Sequence, residues 1–576
     1  MEKYLTLKDP KTTRRFLSPD FEVKDWPSLE PYYQQLLERP IDSQEEMVKF
    51  LKDRDELGAV LQEDRAWRYI RQTRDTQNEE LKNALMFFVK EISPNVTKYE
   101  DKLNRKCLES PYFEQLPDDP YLTFKRQMKR DIELYREENI PLSTQAKELR
   151  QAYQAKQGGL SISHHEETLT LQQASKLLES QDRGFRETIW HKVNEAREGI
   201  ASEASQIFAQ LVKLRHEMAQ NADYSDFTSY QFDALGRFDY TTQDVSHFHD
   251  AIEKEVTPVY LEMMKRRKEI LGVEKLRPWD LLVDIYGEDP LTPFQTAQEL
   301  KEKAITVLSN INPALGKMLE IMDQREYLDL ESRVGKAPGG YNYPLLETGI
   351  PFIFMNAAGS QMDVTTMFHE SGHAVHSFVT KDIVLNSLKY TPSEVAELAS
   401  MAMELICLDQ YHVVYADEQV RSRAMKQQLD RCIDIFPWIA TIDAFQQWVY
   451  IHPETSEEER HDEFFRLYKR FHGDLVDWTG YEDILRKMWL KQGHVFEMPF
   501  YYIEYAIAQL GALAVWRNYH EDAQKGLDMY LEALQLGYTK PIPDIYAQAG
   551  IQFDFSPDYV KECIQYCVKA YEAIKL

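Results

Sequence analysis

Three histidines and one glutamate stand close together in the stretch TTMFHESGHAVHSF, residues 365–378. On an α-helix, residues four apart lie on one face, so His369 and His373 can direct their ring nitrogens toward one metal ion. Glu370 lies about 100° further round the helix, where its carboxylate can reach a water molecule beside the metal without binding the metal. The HESGH core therefore has the HExxH pattern of a zinc peptidase.

A catalytic zinc ion usually has three protein ligands and keeps a fourth position for water. The metzincin subclass would require Gly at position 376 and His at position 379, and the sequence has His376 and Val379 instead, which excludes it. A carboxylate from a second helix is the remaining source of a third ligand.

The stretch SEVAELASMAMEL, residues 393–405, offers such carboxylates. Glu397 and Glu404 are seven residues apart, which is two helical turns on one face. Because an apolar helix rarely buries two unpaired acids, we expect Glu397 to bind the metal and Glu404 to orient a ligand histidine through a hydrogen bond. An exposed acidic edge is the alternative interpretation.

A second cluster occurs in GHVFEMPFYYIEYAIAQLGALAVW, where His494 is followed by Tyr501, Tyr502 and Tyr505. Tyr502 and Tyr505 are three residues apart and can face one side of a helix. Phenol and imidazole groups in a zinc site can stabilise the oxyanion that forms during peptide hydrolysis. In a chain with 33 tyrosines, simple packing is the alternative.

The secondary structure predicted around these residues is mostly helical. Apolar residues recur at spacings of three and four from Glu30 to about Gln157, and again over most of the chain beyond Asp182, which predicts amphipathic helices. The alternating stretch GGLSISHHEETLTL, from Gly158, predicts one inserted hairpin. Loop and short strands are predicted just before the HExxH helix, and Asp363 is expected to cap that helix.

The composition excludes several classes of function. A net charge of -27 argues against binding to nucleic acid or to an anionic membrane. Five cysteines are too few and odd in number for a disulfide framework. No signal peptide or membrane-spanning run is predicted, so we expect a cytoplasmic protein.

Taken together, these motifs resemble the thimet oligopeptidase and oligoendopeptidase F family of zinc metallopeptidases, in its bacterial oligoendopeptidase F or Pz-peptidase-like branch. The matching stretches are FHESGHAVH, ELASMAME 24 residues beyond His373, GHVFEMPFYYIEYA, GKAPGGY and SQDRGFRETIW. The resemblance implies a mainly α fold, with two helical lobes flanking a deep substrate channel and a small β element near the zinc helix. We divide the chain into an N-terminal helical region, 1–180, and a catalytic region, 181–576.

The resemblance also implies roles for individual residues. It makes one zinc ion per chain the cofactor, held by His369, His373 and Glu397, with Glu370 as the general base. His494 and one or two of Tyr501, Tyr502 and Tyr505 would donate hydrogen bonds in the transition state. Gly339, Gly340 and Tyr341, in a loop and edge strand before the zinc helix, would contact the substrate.

The function expected from this resemblance is hydrolysis of internal bonds in short oligopeptides. One alternative is a helical HExxH metallocarboxypeptidase, which needs a positive group for the substrate's terminal carboxylate; neither the zinc nor the tyrosine segment contains an arginine. A non-catalytic peptide-binding protein of the same fold is the other. The sequence leaves open the cleavage preference, the peptide length limit, the metal beyond zinc as first choice, the oligomeric state and the tyrosine that contacts the oxyanion.

Overall fold

The computed structural model describes residues 1–7, 10–165, 167–333, 335–337 and 339–576. Helices dominate this part of the chain and strands are few, as the sequence periodicity predicts. None of the described helices combines the length and hydropathy that crossing a membrane requires.

The helices of the first half are α1 Pro10–Thr13, α2 Trp26–Glu38, α3 Gln44–Arg74, α4 Glu79–Phe87, α5 Ser93–Glu109, α6 Pro111–Glu114, α7 Asp118–Leu134, α8 Asn139–Gly158, α9 Leu171–Leu177, α10 Arg183–Asn221, α11 Phe227–Ala234, α12 Thr242–Ala251 and α13 Thr257–Ile270. Those of the second half are α14 Ala297–Ile311, α15 Pro313–Gln324, α16 Gln361–Thr380, α17 Ser393–Leu408, α18 Glu418–Ile451, α19 Glu457–His472, α20 Glu482–Arg486, α21 Gly493–Glu497, α22 Tyr502–Glu521, α23 Ala523–Gln535, α24 Ile542–Gln548 and α25 Pro557–Ala573. Short 3₁₀ and π segments extend or join several of them.

Buried apolar residues form two large cores. The smaller core is built by α2, α3, α5 and α7 of the N-terminal region. The larger core contains Tyr4, Leu134 and residues from α8 to the C-terminal helix, among them those of α16, α17 and α22. The mainly helical, two-lobed fold class is therefore confirmed. Tyr153 of α8 and Ile162 of the hairpin belong to the larger core, and the domain boundary at residue 180 stays a prediction.

Two small sheets complete the described architecture. Strands β1, Ser161–His164, and β2, Glu167–Thr170, pair antiparallel as the predicted hairpin. Strands β3, Leu328–Glu331, β4, Tyr341–Leu345, and β5, Ile350–Ala357, form a sheet in the order β3-β5-β4. The antiparallel strand β4 is therefore an edge of this sheet, and the central strand β5 directly precedes the HExxH helix.

The cap of that helix differs from the prediction. Helix α16 begins at Gln361 and its N-cap is Ser360, whose hydroxyl accepts the amide N–H of Asp363 at 3.3 Å. Asp363 lies inside the first turn, and its carboxylate accepts the amide N–H of Ser360 at 2.8 Å in return. The prediction that Asp363 caps the helix is wrong, because Asp363 is the third-position partner of a capping box.

Candidate metal centre

The sides of α16 and α17 that face each other bring together two histidines and a glutamate. His369 Nε2 lies 3.3 Å from Glu397 Oε2, and His373 Nε2 lies 3.7 Å from the same oxygen. One ligand atom from each of the three residues falls within 4.8 Å of the others. They are the triad that the sequence predicts as metal ligands.

The spacing and chemistry of this triad fit zinc. With bonds of about 2.0–2.2 Å in tetrahedral geometry, neighbouring zinc ligands are separated by roughly 3.3–3.6 Å. Two imidazoles and one carboxylate are the ligand set of one known class of catalytic zinc site, which leaves a fourth position for water. The residues present therefore fit a catalytic zinc ion.

Glu404 contacts the far nitrogen of a ligand histidine. Its Oε1 lies 2.7 Å from His369 Nδ1, and its Oε2 accepts the side-chain amide of Gln428 at 2.7 Å. Gln428 in turn accepts the hydroxyl of Thr365 at 2.8 Å. Glu397 and Glu404 are both buried, so the interpretation of an exposed acidic edge is wrong.

Glu370 is buried on the same helix but does not join the triad. Its Oε2 has no hydrogen-bond partner among the described residues. Burial raises the pKa of Glu370 to about 7, and the charges of Glu397 and Glu404 act in the same direction. A carboxylate with such a pKa can take up and release a proton near neutral pH.

The two histidines differ in their protonation. Burial lowers the pKa of His373 to about 4, which keeps this ring neutral as metal binding requires. Burial also acts to lower the pKa of His369, but the carboxylates of Glu397 and Glu404 raise it well above the usual value. Metal binding at this centre would therefore displace a proton from His369.

The predicted oxyanion donors are brought together by the turn that precedes α22. The ring centroid of His494 lies 5.9 Å from that of Tyr501, 5.0 Å from that of Tyr502 and 5.7 Å from that of Tyr505. The hydroxyl of Tyr501 donates to Glu397 Oε1 at 2.6 Å. Tyr505 Oη lies 3.3 Å from His494 Nε2.

The loop predicted to contact substrate lies beside the general-base candidate. A Cβ placed on Gly340 would be 3.8 Å from Glu370 Oε1, and Gly339 adopts a φ of +91°. Tyr341 stacks its ring on Phe354 with centroids 4.7 Å apart, so its side chain packs against the sheet. Pro338, in the same GKAPGGY stretch, lies outside the described residues.

The position of Glu397 depends on a glycine that the sequence reasoning did not single out. A Cβ on Gly372, in the middle of HESGH, would lie 2.6 Å from Ser400 Cα and would force the two helices apart. Glycine inside a helix costs about 1 kcal/mol relative to alanine, so a glycine within the HExxH helix could have indicated a close contact with a second helix. Gly372 allows α17 to approach α16 closely enough for Glu397 to reach both histidines.

A buried arginine behind the centre was also missed. Arg237 Nη2 donates to Glu504 Oε1 at 2.7 Å and to the carbonyl of Phe500. Its Nε lies 3.9 Å from Glu394 Oε1, and the hydroxyl of Tyr240 donates to the same carboxylate. We call Arg237, Tyr240, Glu394 and Glu504 the arginine cluster. Arg237 lies in a turn after α11, and no local pattern marked it.

Comparisons with known proteins agree with these findings. Residues 176–564 match the family described as Peptidase family M3, and residues 16–135 match the Peptidase M3 N-terminal domain. The chain is 22% identical over 387 residues to an oligoendopeptidase F homolog of Lactococcus lactis subsp. lactis, covering 67% of this chain and 63% of that protein. It is 26% identical to an oligoendopeptidase F homolog of Borreliella burgdorferi, covering 59% and 60%.

The matched region thus spans about three fifths of these curated relatives. The solved structure of PZ peptidase A with an inhibitor superposes with a TM-score of 0.89 over 98% of both chains at 24% identity, which shows a common fold. The first of the family matches covers most of the chain, including the whole candidate metal centre. The chain belongs to peptidase family M3.

Proposed function

We propose that this protein is a zinc-dependent endopeptidase that hydrolyses internal bonds of short oligopeptides. One observation carries the proposal: His369, His373 and Glu397 converge on one point beside Glu370, whose buried Oε2 has no partner among the described residues. An orphaned carboxylate oxygen next to a metal triad is explained by a water molecule and a substrate that it must contact.

Each residue then has a chemical role. His369, His373 and Glu397 would hold one zinc ion, which when bound lowers the pKa of a water molecule and polarises the substrate carbonyl. Glu370 accepts the proton of the attacking water and passes it to the leaving amine. Glu404 fixes the ring orientation of His369 by accepting a hydrogen bond from its Nδ1.

The three tyrosines and His494 would have different roles in the site. Tyr505 and His494 stand as hydrogen-bond donors for the oxyanion, because their polar atoms meet beside the centre. Tyr501 already donates to Glu397 and so holds that carboxylate in place. Tyr502 borders His494 and would shape the wall of the site.

Peptides are the substrates that the family implies, and the named relatives are oligoendopeptidases. We infer a reducing compartment such as the cytoplasm, since the five cysteines are all free and buried. Gly339 and Gly340 would admit the peptide backbone next to Glu370, where a side chain on the enzyme would be in the way.

The test uses an internally quenched peptide of about ten residues that is blocked at both ends. The zinc-loaded protein should cleave an internal bond, and a chelator should abolish cleavage until zinc is restored. Glu370→Gln should keep the metal and lower kcat by about 10²–10⁴-fold, since it removes the general base. Glu532→Gln, at an exposed position on α23, is the matched control.

The carboxypeptidase alternative predicts a different product. The sequence argument against it was the lack of arginine near the centre, but Arg150 and Arg215 come from distant helices to line a cavity that reaches Tyr501. Release of single C-terminal residues from an unblocked peptide, with no cleavage of the blocked one, would establish that alternative. Peptide binding without any product after zinc is restored would point to a non-catalytic protein.

A further inference from the structure

A cavity of about 270 Å³ adjoins the candidate metal centre. Its walls come from α8, α10, α11 and the turn at residues 497–501. Tyr501, whose hydroxyl reaches Glu397, is part of this wall, so the cavity opens one side chain away from the predicted zinc ligands. We call it the Tyr501 cavity.

Two guanidinium groups line the Tyr501 cavity. Arg150 of α8 donates to the carbonyl of Glu497 at 2.9 Å. Arg215 of α10 is buried; it donates to the hydroxyl of Tyr450 at 2.6 Å and to the carbonyl of Phe496. Neither arginine forms an ion pair in the described part of the chain.

A third basic group lies next to them. Lys147, one helical turn before Arg150, lines a neighbouring cavity of about 430 Å³ that shares Ser143 and Met218 with the Tyr501 cavity. Within the described residues its ammonium group has neither an ion pair nor a hydrogen bond. Burial lowers the pKa of Lys147, and the charges of Arg65 and Arg150 lower it further.

The charge of Glu497 acts on Arg150, but no acid of the described residues forms an ion pair with either arginine or with the nearby lysine. The only carboxylate that lines the Tyr501 cavity in the described part of the chain belongs to Glu497, and its Oε2 accepts the amide of Gln154 at 2.5 Å. Burial raises the pKa of Glu497, which favours its neutral form. The acids of the neighbouring cavity have partners of their own: Glu100 with Arg54, Asp101 with Arg105, and Asp131 with Gln127.

This arrangement is unexpected for the composition. The chain has 95 acidic and 68 basic residues, so a basic side chain can usually find an acid. Arg470 contacts two carboxylates and Arg486 contacts three. A partly buried cation without a carboxylate is costly, and the cost is recovered when an anion binds.

We propose that the Tyr501 cavity is a substrate subsite in which Arg150, assisted by Lys147 and Arg215, binds a carboxylate group of the peptide. The carboxylate comes from the C-terminus of the peptide or from an Asp or Glu side chain, since both present the same two oxygens to a guanidinium. The inference rests on the proposed peptidase function and adds a preference for anionic peptides.

The test measures binding separately from cleavage. One position after another along a test peptide is changed to Glu or to Gln, and each of these peptides is made with a free and with an amidated C-terminus, which gives four peptides for every position. Their dissociation constants are measured with zinc-loaded Glu370→Gln protein, and their kcat/KM values with the unmodified protein. Cleavage of the uncharged peptide reports on the proposed function, whereas the ratio of dissociation constants reports on the carboxylate subsite.

We expect the best anionic peptide to bind about tenfold more tightly than its uncharged counterpart, with the ratio falling as salt is added. Arg150→Gln and Lys147→Met should each reduce that ratio toward one. Arg150→Gln also removes the hydrogen bond to the carbonyl of Glu497 and could change the local structure. Lys147→Met disturbs no hydrogen bond among the described residues, so a lower ratio in this variant reports on charge alone. Lys156→Met, at an ion-paired position on the same helix, is the matched control and should retain the ratio.

The two carboxylate sources give different patterns. Loss of affinity on amidation assigns the subsite to the C-terminus, and loss on Glu to Gln exchange assigns it to a side chain. Equal binding of charged and uncharged peptides would overturn the inference even if every peptide is cleaved. A charge preference that survives both Arg150→Gln and Lys147→Met would also overturn it.

Discussion

Helix α17 carries acids into two buried clusters that are neutralised in different ways. In the arginine cluster, Glu394 and Glu504 surround Arg237, a cation that belongs to the chain. In the metal centre, Glu397 and Glu404 contact histidines and neutral hydrogen-bond donors, and no arginine or lysine pairs with either acid in the described part of the chain. The first cluster contains its own cation, whereas the positive charge of the second would come from a bound metal ion.

The two clusters also differ in access. The side chains of Arg237 and Glu394 are each 1% exposed, whereas those of His369 and His373 are 21% and 19% exposed. A permanent buried ion cluster can be closed off because nothing has to enter it. A site that takes up a metal ion and a peptide must keep its ligands open on one side. The comparison separates a structural function from a catalytic one on the same helix.

The largest effect is expected in the arginine cluster. Arg237→Met should destabilise the protein by about 3–5 kcal/mol, because it leaves two buried carboxylates without their cation. The measurement is the shift of the urea midpoint of the metal-free protein. Arg470→Met, which removes two ion pairs at the surface, should cost under about 1 kcal/mol. An equal shift in both variants would contradict the structural role.

The next effect concerns turnover. Tyr505→Phe should lower kcat by about 10²–10³-fold with little change in KM, if its hydroxyl donates to the oxyanion. Steady-state kinetics on the quenched peptide measures this, and the urea midpoint should stay near that of the parent protein. Tyr286→Phe, at an exposed position, serves as the control. An unchanged kcat would mean that the Tyr505 hydroxyl does not contact the oxyanion and that the residue only packs in the site.

Zinc binding should stabilise the folded protein through the metal centre, and this stabilisation should not depend on the arginine cluster. At a free zinc concentration of 100 times the dissociation constant, the folded protein gains about 2.7 kcal/mol. Glu397→Gln should abolish this gain because it alters the third ligand. Glu394→Gln, three residues earlier on α17, should retain it, as seen by thermal unfolding with and without zinc. Loss of the gain in both variants would mean that the clusters act as one unit.

The smallest effect is expected at Glu404. Glu404→Gln weakens the hydrogen bond that orients His369, and it should lower zinc affinity by about 10–100-fold. Competition with a chromophoric chelator gives the affinity. Glu418→Gln, at an exposed position on α18, should leave it unchanged. Unaltered affinity in Glu404→Gln would limit that residue to packing.

The sequence predicted the parts of the site that depend on local spacing. His369 and His373 follow from the helical period, and Glu397 and Glu404 follow from two acids on one face of an apolar helix. The hairpin at residues 161–170 and the mainly helical class follow from patterns of the same kind. Such features need only neighbours a few residues apart, so a single chain contains the signal.

Other features required the folded structure. Ser and Asp are both good capping residues, and the structure shows that the helix begins after Ser360 and not after Asp363. The exact ends of helices are weakly encoded in sequence. The separate contacts of Tyr501 and Tyr505 depended on a turn at Phe500, where φ is +66°. The sequence does not distinguish neighbouring tyrosines, because their partners depend on the direction in which the backbone points each side chain.

The chemistry available to this protein is evident from its sequence, which has an HExxH helix, a nearby acidic helix and a tyrosine-rich segment. The packing of the helices determines which carboxylates contact histidines and which contact Arg237, and it brings Arg150 and Arg215 close to Tyr501. Helical periodicity gives no information about such contacts, because it relates only residues a few positions apart. Contacts between residues hundreds of positions apart arise only from the packing of whole helices.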